Sequence, residues 1–257
     1  MPRKRRPHRR RRRRGSLGPL LRVISVLLTA VAVVAALTLF FKVDQVLVTG
    51  NSRYTQEEIT EVSQVRQGDN LILLDKYSVA QRIYTELPYI TDVRMSRKLP
   101  DTLVVEVTET AAVASIRSGS TWWLMSAKGK LLEATNSTAA KTVLQIQGVE
   151  AQEAVASGTL ALPEESHMSQ ERLMAFIQAL AERGMLSKCS SLDLSDPRQL
   201  VLGYDGRFRV EIAYDADFDF KLNCLLAAVA QLEPNERGTI RMTLKDNNEV
   251  RLIPDAS

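Results

Sequence analysis

The sequence predicts an α+β chain: an N-terminal transmembrane helix, a small βααββ module, then a larger mixed β-sheet domain with two helices. Three observations predict it. A charge-free run of nineteen residues stands near the N-terminus, the next seventy or so residues place two amphipathic helices among short strands, and the remainder is rich in short turn-bounded strands.

The charge-free run is Val23 to Phe41. At 1.5 Å per helical residue it spans about 28 Å, close to the roughly 30 Å hydrocarbon core of a bilayer. A lone segment in lipid has to satisfy its backbone internally, so it must be a helix. Of the 34 Lys and Arg, eleven fall in residues 1–22, which hold no acid, and this leaves 23 basic against 30 acidic residues in the rest. The basic balance therefore belongs to the tail. Basic flanks stay in the cytoplasm, which predicts a cytoplasmic N-terminus and an extracytoplasmic remainder after about Lys42. The Arg9–Arg14 run is read as an orientation signal that also touches anionic lipid, and not as a nucleic-acid site. A cleaved signal peptide is the alternative, with Ala30-Val31-Ala32 as its small-x-small triplet. That triplet sits in mid-run, and the apolar stretch continues nine residues beyond it.

The module that follows has a first strand, Val43 to Thr49, ending in Gly50-Asn51. Thr55 opens a helix with Glu58 completing a capping box, and Ile59, Val62 and Val65 make its apolar stripe. Val79, Ile83 and Leu87 mark a second helix stopped by Pro88. Ile90–Lys98 and Thr102–Glu109 are the second and third strands. In the third, Leu103, Val105 and Val107 alternate with Thr102, Glu106 and Thr108, the pattern of a sheet with one covered face.

From Ala111 the sequence predicts a hairpin of Trp122–Met125 and Leu131-Leu132 around Lys128-Gly129-Lys130, and a strand Val143–Ile146. Residues 148–167 read as a loop. A helix capped by Ser169 carries Leu173, Phe176, Ile177 and Leu180. Strands Ser191–Leu194, Gln199–Leu202 and Phe208–Ala213 follow, then a helix from about Asp217 to Leu232 and two closing strands, Thr239–Leu244 and Glu249–Ile253. Cys189 and Cys224 are either one disulfide pair or two small core residues, and the place of Cys224 on an apolar helix face favours the core.

No catalytic machinery is legible. The two histidines, His8 and His167, are split between tail and remainder, so no histidine pair can hold zinc. Nucleophile elbow, Walker A and dinucleotide motifs are lacking. Glu164-Glu165 and Asp215, Asp217 and Asp219 fall in loops or helix starts, where acids are stabilised by the helix dipole. No enzyme, metal or cofactor is expected.

Several segments in order carry a resemblance: Val46-Leu47-Val48-Thr49-Gly50-Asn51, Gly68 to Asp75, Leu87-Pro88-Tyr89-Ile90, Arg97 to Leu103 and Val105 to Glu109, then the Trp122–Leu132 hairpin, Lys221-Leu222 and the ending Val250 to Pro254. Together they resemble the FtsQ/DivIB family of bacterial cell-division proteins, with a POTRA-like first module. Thr110-Ala111-Ala112 and Met125-Ser126-Ala127 depart from that family's usual residues in connectors or turns. The resemblance implies a cytoplasmic tail at 1–22, a transmembrane helix at 23–41, a POTRA-like domain at 42–110 and an FtsQ/DivIB-type β domain at 111–257. It implies a non-catalytic divisome scaffold at the septum that binds FtsB/DivIC-like and FtsL-like bitopic proteins and helps control septal peptidoglycan synthesis. By that resemblance the last strands offer an edge to the FtsB/DivIC-like partner, with Arg241, Thr243, Leu244, Lys245, Val250 and Leu252 as contacts. Ile240 and Met242 are read as core, and for Leu244, Leu252 and the outward polar residues a purely structural role and a contact role both stay open. The third strand of the first module, Thr102–Glu109, is a second candidate docking edge. A membrane-anchored cell-wall enzyme and a POTRA-containing assembly or transport factor are the competing readings.

Overall fold

The computed structural model describes residues 18–242 and 251–254. Its first element is helix α1 (Gly18–Phe40), five residues longer at its start than the charge-free run. The window Leu20–Leu37 has a mean hydropathy of 2.5 and none of it is buried. A helix this apolar, this exposed and about 34 Å long fits a single-pass membrane anchor.

Strand β1 (Gln45–Thr49) is followed by α2 (Gln56–Ser63), where Thr55 and Glu58 form the expected capping box. Ile59 and Val65 are buried and Val62 is half-buried. Asp75 caps α3 (Lys76–Glu86), accepting hydrogen bonds from the N–H groups of Tyr77 and Ser78. Strands β2 (Ile90–Lys98) and β3 (Thr102–Glu109) match their predicted limits. The three strands are ordered β1-β3-β2. That order overturns Thr102–Glu109 as a docking edge. β3 is central, so its backbone groups are committed on both sides.

The larger sheet has nine strands: β4 (Ala114–Ser118), β5 (Thr121–Met125), β6 (Leu131–Thr135), β7 (Leu144–Glu150), β8 (Cys189–Asp193), β9 (Gln199–Tyr204), β10 (Phe208–Ala213), β11 (Gly238–Arg241) and β12 (Arg251–Pro254). Their order is β12-β11-β10-β9-β8-β7-β4-β5-β6. It is mixed, since β4 and β7, β7 and β8, and β10 and β11 pair in parallel. Parallel pairs need crossovers. The short α4 (Ser137–Ala140) lies between β6 and β7, α5 (Gln170–Glu182) between β7 and β8, and α6 (Phe218–Val229) between β10 and β11. Leu173, Phe176, Ile177 and Leu180 of α5 and Leu222 and Leu225 of α6 are fully buried in one core with the sheet, and the rings of Phe176 and Phe218 meet edge to face at 4.9 Å.

One expected loop is partly strand, because β7 continues to Glu150. A register shift opposite Ser115 and Arg117 accommodates Gly148 at φ +81°, where a Cβ would run into the Ser195 backbone. Cys189 is buried and Cys224 half-buried, and both are free thiols.

The chain divides into two compact units. One comprises the described residues up to Val46 with Arg66–Leu74 and Arg97–Leu103, and the other comprises Leu47–Val65, Asp75–Ser96 and the described residues from Val104 onward.

Candidate partner-binding edge

An open sheet has two edges, and each presents backbone donors and acceptors to solvent unless something covers it. Here the two are treated differently. On the β6 side, Lys130 bridges Thr159, the Leu131 N–H donates to Gly158 O at 2.8 Å, and the Ser157 N–H donates to Leu131 O at 2.9 Å. A loop therefore covers the start of that edge, at Leu131. On the other side, β12 pairs antiparallel with β11 and has no further strand beside it among the described residues.

The register at this open edge sorts its side chains. Ile240 pairs with Leu252, and Thr239 and Arg241 pair with Ile253 and Arg251. Ile240 is 1% exposed and Leu252 packs half-buried on the same core, so that face points inward. Met242 is buried too, as its core reading requires. The other face is wet, with Arg241, Arg251 and Ile253 exposed. The Arg241 guanidinium donates to Glu211 Oε2 at 2.9 Å, and Arg209 stands 3.6 Å from Glu211 Oε1. One carboxylate thus faces two guanidinium groups, those of Arg209 and Arg241, and Arg251 stands opposite Arg241 in the β11–β12 register. The edge is basic.

Of the six residues assigned to the contact surface, Arg241 and Leu252 fall in β11 and β12. Thr243, Leu244, Lys245 and Val250 lie outside the described residues. Gly238 is a residue that sequence reading passed over. It has φ +151°, and a Cβ on it would overlap Ile253 O and come within 2.9 Å of Pro254 Cα. β12 can lie this close to β11 because residue 238 has no side chain.

Sequence reading also missed a polar joint between the first module and the large sheet, built within the second unit. Lys130, read as a turn residue, is 4% exposed. Its ammonium donates to Ile90 O at 2.6 Å and Tyr84 O at 3.0 Å and lies 3.6 Å from the Tyr84 ring centre. The signal was present in the chain: residue 88, four after Tyr84, is a proline. The Tyr84 carbonyl therefore lacks its helical donor and needs another. Burial pushes the Lys130 ammonium down to about 8. Beside it, Tyr89 donates its hydroxyl proton to Glu133 at 2.6 Å, and the Arg53 guanidinium lies 3.7 Å from the Tyr89 ring centre. Burial, reinforced by Glu133, raises Tyr89 to about 12.

Other concave surface is less specific. A cleft of about 660 Å³ is lined by Arg117, Trp122, Gly148, Glu150, Pro163 and Glu165. Arg117 Nε donates to Glu150 Oε1 at 2.9 Å, so that carboxylate is ion-paired. His167 is exposed. Among the described residues no group of three or more His, Cys, Asp or Glu is placed to hold a metal ion.

Comparison with known proteins fits this architecture. The family profile described as "POTRA domain, FtsQ-type" matches residues 41–110. A cell division protein FtsQ of Syntrophotalea carbinolica is 30% identical over 199 residues, covering 76% of this chain and 67% of the relative. The chain belongs to the FtsQ/DivIB family of cell-division proteins. Within that family, a DivIB of Clostridium botulinum strain Hall is 22% identical over 235 residues, 88% of each chain. An FtsQ of Corynebacterium glutamicum is 33% identical over 108 residues, 42% of this chain and 48% of the relative, so the match spans about half the length of that FtsQ. The β12 edge and the Lys130 joint therefore belong to a cell-division protein of the FtsQ/DivIB type.

Proposed function

We propose that this chain is a non-catalytic scaffold and regulator of the divisome, and that its open sheet edge binds another division protein by adding a strand. The N-terminus lies in the cytoplasm, because residues 1–22 carry eleven basic and no acidic side chains. The two modules then work outside the membrane at the septum and help control peptidoglycan synthesis there. The partners are FtsB/DivIC-like and FtsL-like bitopic proteins.

A single observation carries the binding site: β12 ends the large sheet with no strand beside it among the described residues, while at the other end a loop already bonds to the start of β6. An extended segment laid along β12 would complete its backbone hydrogen bonds, which supply affinity, while side chains supply specificity. The surplus of arginine on the outer face of β10–β12 selects for acidic side chains in that segment, since like charges opposite one another across strands are unfavourable until an acid intervenes. Arg241, Thr243, Leu244, Lys245, Val250 and Leu252 form the contact.

The test is deletion of residues 239–257 from the full chain, with retained helix and strand content checked by circular dichroism. An FtsB/DivIC-like partner should no longer be captured. Undiminished capture by a folded deletion variant would sink the edge proposal. At the level of the cell, depletion should give filaments without septa, and normal septation would refute the division role.

A further inference from the structure

An apolar helix that leaves a bilayer has to meet water, and its last carbonyls need donors at that boundary. In α1 the apolar window ends at Leu37, and the Asn70 side-chain amide donates to the Leu37 carbonyl at 3.3 Å. One residue on, the Leu71 N–H donates to Phe41 O at 2.9 Å. The loop 70–74 is therefore tied to the last turn of the helix and to Phe41, the last residue before Lys42.

The same loop has almost no polar backbone left to offer water. The Ile72 and Leu73 N–H groups both donate to Asn70 Oδ1 at 2.9 Å, and the Leu74 N–H donates to Asn70 O at 3.0 Å. Arg97 takes the carbonyls: its Nε donates to Leu71 O at 2.6 Å and one terminal nitrogen donates to Ile72 O at 3.0 Å and Leu74 O at 3.1 Å. What the loop turns outward is apolar. Leu73 is 73% and Ile72 38% exposed, and Leu99, two residues past Arg97, is 58% exposed. A water-facing loop has no need to satisfy its backbone internally while exposing leucine and isoleucine. A lipid-facing loop needs both.

We propose that Ile72 and Leu73, with Leu99 beside them, dip into the outer interface of the bilayer and form a second, shallow membrane contact next to the anchor. This rests on reading α1 as a membrane span. The occupant is lipid rather than protein, because the loop is continuous with an unburied apolar helix whose boundary carbonyl it caps. The exposed side chains of Lys42 and Lys98 in the same unit suit an anionic headgroup layer. Two anchoring points on one compact unit fix its orientation against the membrane, which a single helix, free to rotate about its own axis, does not.

The experiment uses the full chain with Cys189→Ala and Cys224→Ala, reconstituted at low protein density into phosphatidylcholine–phosphatidylglycerol vesicles. An NBD fluorophore is attached to a new cysteine at Leu73→Cys or, in a parallel sample, Ala30→Cys. Emission is read with and without lipid bearing a doxyl quencher. The expected result is blue-shifted emission with loss of intensity to doxyl lipid at both positions. Quenching at position 30 with solvent-like emission at position 73 would overturn the loop contact and leave the anchor standing. Blue-shifted but unquenched emission at position 73 would mean that a second copy of the chain covers the loop, and would overturn the lipid assignment. Solvent-like emission at both would remove the anchor and the loop contact together.

Discussion

Gly238→Ala tests how the candidate edge is held. The new methyl group would overlap Ile253 O and sit 2.9 Å from Pro254 Cα, and φ is +151°. Both obstacles are backbone, so no rotamer change relieves them. The penalty has an upper limit, because β12 can detach once strain exceeds its docking energy. That energy is small. Leu252 is its half-buried anchor, contributing about 1 kcal/mol, and a four-residue antiparallel ladder adds a few solvated hydrogen bonds at a net of about 0.5–1 kcal/mol each. Docking is then worth about 2–4 kcal/mol, less than forcing a methyl into a carbonyl oxygen, and the strand leaves. Amide exchange at Arg251 and Ile253, whose N–H groups face β11, should accelerate by about 30- to 1000-fold, since about 1.4 kcal/mol is a factor of ten. Near-ultraviolet dichroism from Trp122 and Trp123 on β5, at the far end of the strand order, should be unchanged, and capture of an FtsB/DivIC-like partner should fall with the exchange protection. Unaltered protection at Arg251 and Ile253 would show that the missing side chain at 238 is not what seats β12.

Arg97→Lys keeps the charge but cannot reproduce a fork spread over three carbonyls; with at least two charge-assisted bonds lost, residues 71–74 should be destabilised by about 2–3 kcal/mol, read as faster exchange of the Leu71 and Leu74 amides. Lys130 gives the protein an alkaline signature: its folded value of about 8 lies below the ordinary 10.5, so unfolding takes up a proton and stability should rise from pH 8 toward pH 9. Burial raises the Cys189 thiol from 9 to about 12, which should lower stability above pH 9, and Lys130→Met should remove the rise while keeping the fall in urea midpoints. At Glu109, burial raises the carboxyl, but N–H donors from Arg53, Tyr54 and Ser52 outweigh it and hold it below the usual range. Glu109→Gln should therefore cost about 1–2 kcal/mol at neutral pH and flatten the acid limb of the stability profile, where the native protein loses this contribution as the carboxylate protonates.

Local rules read the first module well because each of its elements carries its own signal. Thr55 and Glu58 form the capping box they spell, and β2 and β3 have the limits their alternation sets. Local rules fail where the partner is distant in sequence. β4 has no alternation, since Ala114, Ser115 and Ile116 are all buried, and Ser115 is tolerated there because its hydroxyl donates to Ala140 O at 2.8 Å. Strand order is not a local property either, and so a central β3 was mistaken for an edge. Lys130 looks like any lysine beside a glycine until Pro88, more than forty residues earlier, is seen to leave a carbonyl unpaired. Next to the candidate contact residues, the inward sense of Ile240 and Met242 follows from alternation, whereas the need for glycine at 238 comes from the approach of β12.

A sheet partly covered at β6 and open at β12 has a preferred side for growth. If a partner segment adds beside β12 and brings its own cover, growth on that side ends with one strand. Two copies meeting through this surface could pair β12 only with β12, a closed two-fold arrangement with no free end left to extend. The loop residues bonded to Leu131 leave less of the β6 edge for a second copy to pair with, which disfavours growth from that side.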